Sequence, residues 1–391
     1  MSSALSDDPP TFRAQVEAWF ESHAPKKGSA GDFSAIHIIS GRSIDEYTIA
    51  EHAALSRSRE WQKALHGAGL AGRSWTPEYG GQGGPAWQDA TIAEVQGRYG
   101  VSTKVLAIAL EMLPPVLMAH GTHEQRVRHL PAVLQGDEVW CQLLSEPDAG
   151  SDLGSAKTVA VGVDGGWSVN GQKVWTSGAG IADLALLIAR TEPDVAGMAG
   201  LSCLILDMKA PGVEVRPLRQ ISGAFHFNEV FLTDVLVPTE ALIGGLGGGR
   251  AVLRTMLASE RSAIGGGTSA RSASQLMDLA GTLGRQRDPL VRQLVAAAYI
   301  REKVLDLTGQ RVASGGSLLG GGSITKLMYS EHARLSAEAG LTLLGASGAA
   351  ATALTQPWLD RFLFAPGLRI GGGTDEIQRN TIAERGLGLP R

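Results

Sequence analysis

The chain has 391 residues, 43% of them hydrophobic, which is enough for large buried cores and for two or three domains. Its 35 basic and 39 acidic residues leave a net charge of -4, which argues against general electrostatic affinity for nucleic acid or an anionic lipid surface. Cys141 and Cys203 form no CxxC, so neither a disulfide framework nor a zinc-thiolate cluster is expected. The start MSSALSDDPPTF has no leader pattern and no apolar run reaches the roughly 18 residues of a membrane span, so the expectation is a cytoplasmic protein with no membrane span.

Residues 1–139 read as an N-terminal helical domain. Phe12, Val16, Trp19 and Phe20 recur at helical spacing. Residues 30–45 read as a polar, glycine-punctuated loop, and helical character runs from Ala50 to His66. Gly67–Gly69 and the run WTPEYGG break it, and it returns over Trp87–Leu117 and His123–Leu134. His120, His123 and His129 invite a metal reading, but no carboxylate-bearing metal motif accompanies them.

Residues 140–240 change texture. Strands are expected at 156–163, Ala182–Ala189, Leu201–Leu206, Val213–Leu218 and Phe227–Leu232. Asp164-Gly165 reads as one hairpin turn and Asn170-Gly171 as a second, tighter one. The pattern predicts a middle antiparallel β-barrel or sandwich domain. Residues 241–391 return to the helical period and predict a C-terminal helical bundle, with Ser314–Ser323 as a glycine-rich link. The expected fold class is therefore α+β, in the order helices, sheet, helices.

Three segments carry candidate chemistry. In AVLRTMLASERSAI, residues 251–264, Glu260 shares a helix face with Leu253, Met256, Leu257, Ala263 and Ile264. A carboxylate on such a face is ion-paired, protonated or placed in a pocket, where desolvation suits it to proton abstraction. The loop LSEPDAGSD, residues 144–152, reads either as a domain junction or as a set of N–H and hydroxyl donors for an anion or heterocycle. Gly371–Gly373 lets the backbone approach a ligand closely. Thr374 can cap the helix that follows, whose free N–H groups would favour a phosphate.

Taken together, LSEPDAGSD (144–152), NGQKVWTSGA (170–179), residues 211–238, GGTDEIQRNTIAERGLG (372–388), WTPEYGGQG and the Glu260-Arg261 helix resemble the acyl-CoA dehydrogenase family over about residues 11–388. The resemblance implies FAD as cofactor, an acyl-CoA thioester as substrate and an electron-transfer flavoprotein as electron acceptor. It also implies a homo- or hetero-oligomer, dimer or tetramer. The backbone around Leu144 and Ser145 would bond the flavin pyrimidine edge, Ser151 would meet the pyrophosphate, Trp175 would pack by the ring and Ser177 would sit at flavin N5. Thr374 and Glu376 would lie near the dinucleotide, and Arg261 would assist substrate placement. Much of the family carries its catalytic glutamate where this chain has Gly372. The isovaleryl-type members carry it directly before the arginine, here at Glu260, so the resemblance implies Glu260 as base and the Gly372 N–H as a donor to the thioester carbonyl.

The family's adenine-binding arginine and phenylalanine-glycine pattern is replaced by Thr282–Pro289, and a later glutamine corresponds to Thr342. Two alternatives stand beside the dehydrogenase reading. One is a non-catalytic or half-site partner subunit of a heteromeric enzyme. The other is a related flavin monooxygenase or nitroalkane-type oxidase.

Overall fold

A computed structural model describes residues 5–34, 43–265, 272–313 and 321–390. Of the expected loop over 30–45 and the expected link Ser314–Ser323, residues 35–42 and 314–320 lie outside the described residues, and 321–323 are helical. The chain forms two compact units, one of residues 1–220 and 224–256, the other of residues 221–223 and 257–391.

In the first unit, α1 (Pro9–His23) is capped by Asp8 and buries Phe12, Val16 and Phe20 completely. Helix α2 (Ile44–Gly67) opens with a reciprocal cap between Ser43 and Glu46, so residues 44 and 45, expected as loop, begin the helix instead. The expected helix over Trp87–Leu117 is divided. Helix α3 (Ala86–Gln96) ends at Gly97, and a π-helical turn over Ile108–Met112 leads into α4 (Leu113–His120). Helix α5 (His123–Gln135) follows a second reciprocal cap, Thr122 with Gln125.

The strands are β1 (Trp140–Leu143), β2 (Val159–Val163), β3 (Gly166–Ser177), β4 (Leu184–Arg190), β5 (Leu201–Asp207), β6 (Val213–Leu218), β7 (Phe227–Pro238) and β8 (Leu242–Ile243). They form one sheet in the order β6-β7-β3-β2-β4-β5-β8, with β1 on β4. This corrects the antiparallel barrel. The sheet is open, because β6 and β8 end the path, and it is mixed, because β1 and β2 both run parallel to β4. The antiparallel expectation rested on hairpin signals, and β1, entering from α5, carries none.

Asp164-Gly165 does turn β2 into β3, whereas Asn170-Gly171 is not a hairpin. It lies inside β3 at a register shift against β7, and Asn170 exchanges hydrogen bonds of 2.9 and 3.0 Å with Asp234. A Cβ on Gly171 would lie 2.7 Å from the Thr158 Cα, so glycine is needed there for close strand approach.

Strand β4 is buried along Ala185–Ala189. Its residues share a core with Leu113, Val116, Leu117, Leu130 and Val133 of α4 and α5. Each such leucine contributes roughly 1.5–3 kcal/mol on burial, which explains why helices and sheet form one unit.

The chain passes to the second unit within α6 (Gly249–Gly265), whose Val252, Leu253 and Met256 belong to the first core. Helices α7 (Ser272–Thr282), α8 (Pro289–Ala313), α9 (Gly321–Leu344), α10 (Gln356–Ile370) and α11 (Asp375–Thr381) complete the second unit. Their core includes Leu276, Leu279, Val291, Leu343 and Trp358.

Candidate active site

In the first unit, two motifs distant in sequence meet. The Val174 N–H donates to the Ser145 carbonyl at 2.9 Å, so the loop after β1 lies against the end of β3. Lys173 Nζ donates to the Leu144 carbonyl at 3.1 Å and to Glu146 Oε1 at 2.8 Å. Glu146 also accepts from the N–H groups of Lys157 at 2.6 Å and Thr158 at 2.9 Å. Desolvation pushes the Lys173 ammonium down to about 8, against the pull of Glu146. Burial pushes the Glu146 carboxyl up, but Lys173 and the N–H donors outweigh it, and it stays below the ordinary glutamate range.

With the carbonyls of Leu144 and Ser145 taken, this loop has N–H and hydroxyl donors to offer. Leu144 is buried, Ser145 and Ser177 are half-buried, and Ser151 is exposed. Strand β3 slips register against β7 between Lys173 and Thr176, and Trp175 adopts φ +62. That conformation costs a non-glycine residue about 1–2 kcal/mol. It leaves the Trp175 side chain 60% exposed, touching Phe227 edge-on at 5.9 Å. Among the described residues the buried Thr176 Oγ1 has no hydrogen-bond partner. An exposed indole beside hydroxyl and N–H donors fits a planar heterocycle with a polar edge, and flavin is such a group.

In the second unit, Glu260 and Arg261 follow one another on α6. Glu260 is half-buried, not enclosed as its apolar stripe suggested, because Leu257 and Ala263 beside it are themselves only partly buried. The side chain of Ile264 lies outside the described residues. Burial lowers the Arg261 value, with the Glu260 charge opposing and that of Arg385 adding.

The glycine turn has φ +68 at Gly372 and +89 at Gly373. Thr374 caps α11 as expected, its hydroxyl accepting from the Ile377 N–H at 3.2 Å. Glu376 is exposed and lies 3.4 Å from Arg379. Thr374 and Glu376, with Arg334, Phe362, Pro366 and Arg369, line a cleft of about 500 Å³ in this unit. Its cations are already matched, Arg334 by Glu331 and Glu338 at 2.7 and 2.6 Å and Arg369 by Asp375 at 2.7 Å.

Sequence reasoning missed Asp375. Its carboxylate, 1% exposed, accepts from Lys326 Nζ at 3.0 Å, Ser330 Oγ at 2.8 Å and Arg369 Nε at 2.7 Å. Lys173, Glu146 and Gln378 were missed too. Charges inside a strand or next to a helix cap read as solvated until their partners are known.

Elsewhere, Arg285 reaches the Leu343 carbonyl at 3.1 Å and Asp288 at 2.7 Å, while Thr342 bonds its own helix at Glu338. The segment that departs from the family pattern is thus engaged in joining α7 to the end of α9. The three histidines are dispersed. His120 bonds Thr255, His123 faces Glu78 and His129 pairs with Glu138.

Residues 42–137, 141–235 and 247–387 match the N-terminal, middle and C-terminal domains of acyl-CoA dehydrogenase. The chain is 36% identical over 392 residues to "Acyl-CoA dehydrogenase IpdE1" of Mycobacterium tuberculosis, covering 97% of each. It belongs to the acyl-CoA dehydrogenase family. Among solved structures, "Tcur3481-Tcur3483 steroid ACAD" aligns with TM-score 0.79 and 26% identity over 100% of both chains. The "ChsE4-ChsE5 complex from Mycobacterium tuberculosis" aligns with TM-score 0.76 and 25% identity over 100% of both. As an acyl-CoA dehydrogenase the chain is an oxidoreductase, and members of this family are FAD-dependent flavoproteins. Among the described residues no helix is long and apolar enough to cross a membrane.

Proposed function

We propose that this acyl-CoA dehydrogenase converts an acyl-CoA thioester to the trans-2-enoyl-CoA with FAD, and that electrons leave to an electron-transfer flavoprotein. The Gly372 turn carries the reading. Gly372 is buried at φ +68, so a glutamate there would be strained by about 1–2 kcal/mol. With glycine at this position the chain offers a backbone N–H and no side-chain base there, which supports a base from another part of the chain. Glu260, directly before Arg261, is the acid that this sequence supplies in the isovaleryl-type pattern.

Glu260 would take the α proton of the thioester. The Gly372 N–H would donate to the thioester carbonyl as negative charge develops on it. Arg261 would hold Glu260 and the substrate in register. Leu144, Ser145, Trp175 and Ser177 would hold the flavin ring, and Ser151, Thr374 and Glu376 the dinucleotide. FAD, when bound, supplies the acceptor for the β hydride. The likeness to the steroid ACAD and to the ChsE4-ChsE5 complex supports a sterol-derived acyl group and assembly with a second subunit.

The test is anaerobic titration of the flavin-loaded protein, alone and with candidate partner chains, using straight, branched, aromatic and sterol-derived CoA thioesters. Bleaching of the flavin by one class identifies the substrate. A protein that binds no flavin under either condition would sink the reading.

A further inference from the structure

We propose that Gln378 is a positioning residue that holds the Gly372 amide in register for the thioester carbonyl, an inference that rests on the role given to Gly372 above. Gln378 lies on α11 and is 1% exposed. Its Nε2 donates to the carbonyls of both Gly372 and Gly373, each at 3.0 Å. An amide nitrogen carries two hydrogens, so both are used. Because both partners are acceptors, the amide cannot be reversed without setting its oxygen against two oxygens.

The turn is held on its other flank as well. The Gly371 N–H donates to the Gly367 carbonyl at 2.9 Å, and the Gln378 N–H donates to the Thr374 carbonyl at 2.9 Å. Two successive glycines have wide conformational freedom, and φ values of +68 and +89 are one choice among many. The Gly372 N–H lies in the peptide that it shares with the Gly371 carbonyl, and the two peptides that Gln378 holds are those that follow it. With the peptide before it tied to Gly367 and the two after it tied to Gln378, the peptide that carries the Gly372 N–H is held between fixed neighbours. The fit is close, since a Cβ on Gly373 would lie 2.6 Å from Gln378 Nε2.

Packing does not account for an amide here. Among the described residues Gln378 Oε1 is buried with no hydrogen-bond partner. A methionine would fill similar space without that unpaired acceptor, so the contribution of the side chain lies in its two N–H donors. Asp375, bound by Lys326, Ser330 and Arg369, anchors the helix that carries it.

The experiment compares Gln378→Met and Gln378→Glu with the parent protein. Four readouts are taken: melting temperature, flavin content, hydrogen exchange across residues 371–378 without substrate, and kcat and KM with the best thioester. The expected result is near-normal flavin content, exchange faster by about tenfold or more, and kcat lower by about 10- to 100-fold with a smaller change in KM. Those ratios follow from a donor that matters most in the transition state. Unchanged exchange and kcat in either folded variant would overturn the proposal. So would lost flavin or lost folding in both variants, or normal turnover per bound flavin, since each marks a structural role. If the parent protein bleaches with no thioester, the proposed reaction fails separately, and hydrogen exchange still decides whether Gln378 holds the turn.

Discussion

Lys173 and Glu146 form an ion pair of 2.8 Å with side chains 0% and 5% exposed, joining the strand that ends at Ser177 to the loop that begins at Leu144. Lys326 and Asp375 do the same for the glycine turn in the second unit, at 3.0 Å with 0% and 1% exposure. Each motif loop is thus fastened from behind by a lysine with no solvent contact. Charge-assisted bonds inside a protein are directional, and a buried pair specifies one arrangement more sharply than apolar contact does.

Lys173→Met should leave Glu146 buried and unpaired, at a cost of about 3–5 kcal/mol. Chemical denaturation of the parent and variant checks this. The double variant Lys173→Met/Glu146→Gln should recover part of the loss, because the stranded charge is then gone. If both variants melt like the parent protein, the pair does not hold the loop.

Glu260→Gln should leave flavin content unchanged while slowing the bleaching of the flavin by a good thioester by about 10²–10⁴-fold, the range for removing a general base. Stopped-flow absorbance is the measurement. Equal rates in parent and variant would remove Glu260 from the base role.

Asp375 makes stability depend on acid pH. Burial raises its carboxyl, but Arg369, Ser330 and Lys326 outweigh burial and hold it below the ordinary aspartate value of 3.8. A carboxylate depressed in the folded state stabilises fully above its unfolded value, and the contribution is lost as pH falls through the folded one. Unfolding followed from pH 5 downward should therefore show a steeper loss in the parent protein than in Asp375→Asn. The variant should be the less stable of the two at pH 7, and matching acid profiles would contradict the assignment.

Gly340→Ala tests core packing between α9 and α10. A Cβ at Gly340 would lie 2.0 Å from a carbon of the Trp358 ring, and Trp358 is 5% exposed. Helices α9 and α10 would have to separate, costing about 1–3 kcal/mol. The melting temperature should fall, and an unchanged value would show that the two helices absorb the methyl group.

Strands β2, β5 and β6 were legible because alternation and the Asp164-Gly165 turn are local signals. Asn170-Gly171 misled for the same reason. The pair has hairpin chemistry, but Asp234 on β7 and the close approach of Thr158, just before β2, turned it into a kink within a continuous strand. The parallel pairing of β1 with β4 left no trace in spacing, since the partners are separated by two other strands along the chain.

The order of helices, sheet and helices and the family were legible in the chain alone, because periodicity, turn chemistry and short motifs are properties of neighbouring residues. Long-range packing is what leaves the sheet open, Trp175 exposed at a strained kink, and the loops bonded to Lys173, Asp375 and Gln378. Those outcomes depend on which distant groups share a desolvated space. The cost of leaving a buried charge or amide unpaired is settled by partners that no local pattern names.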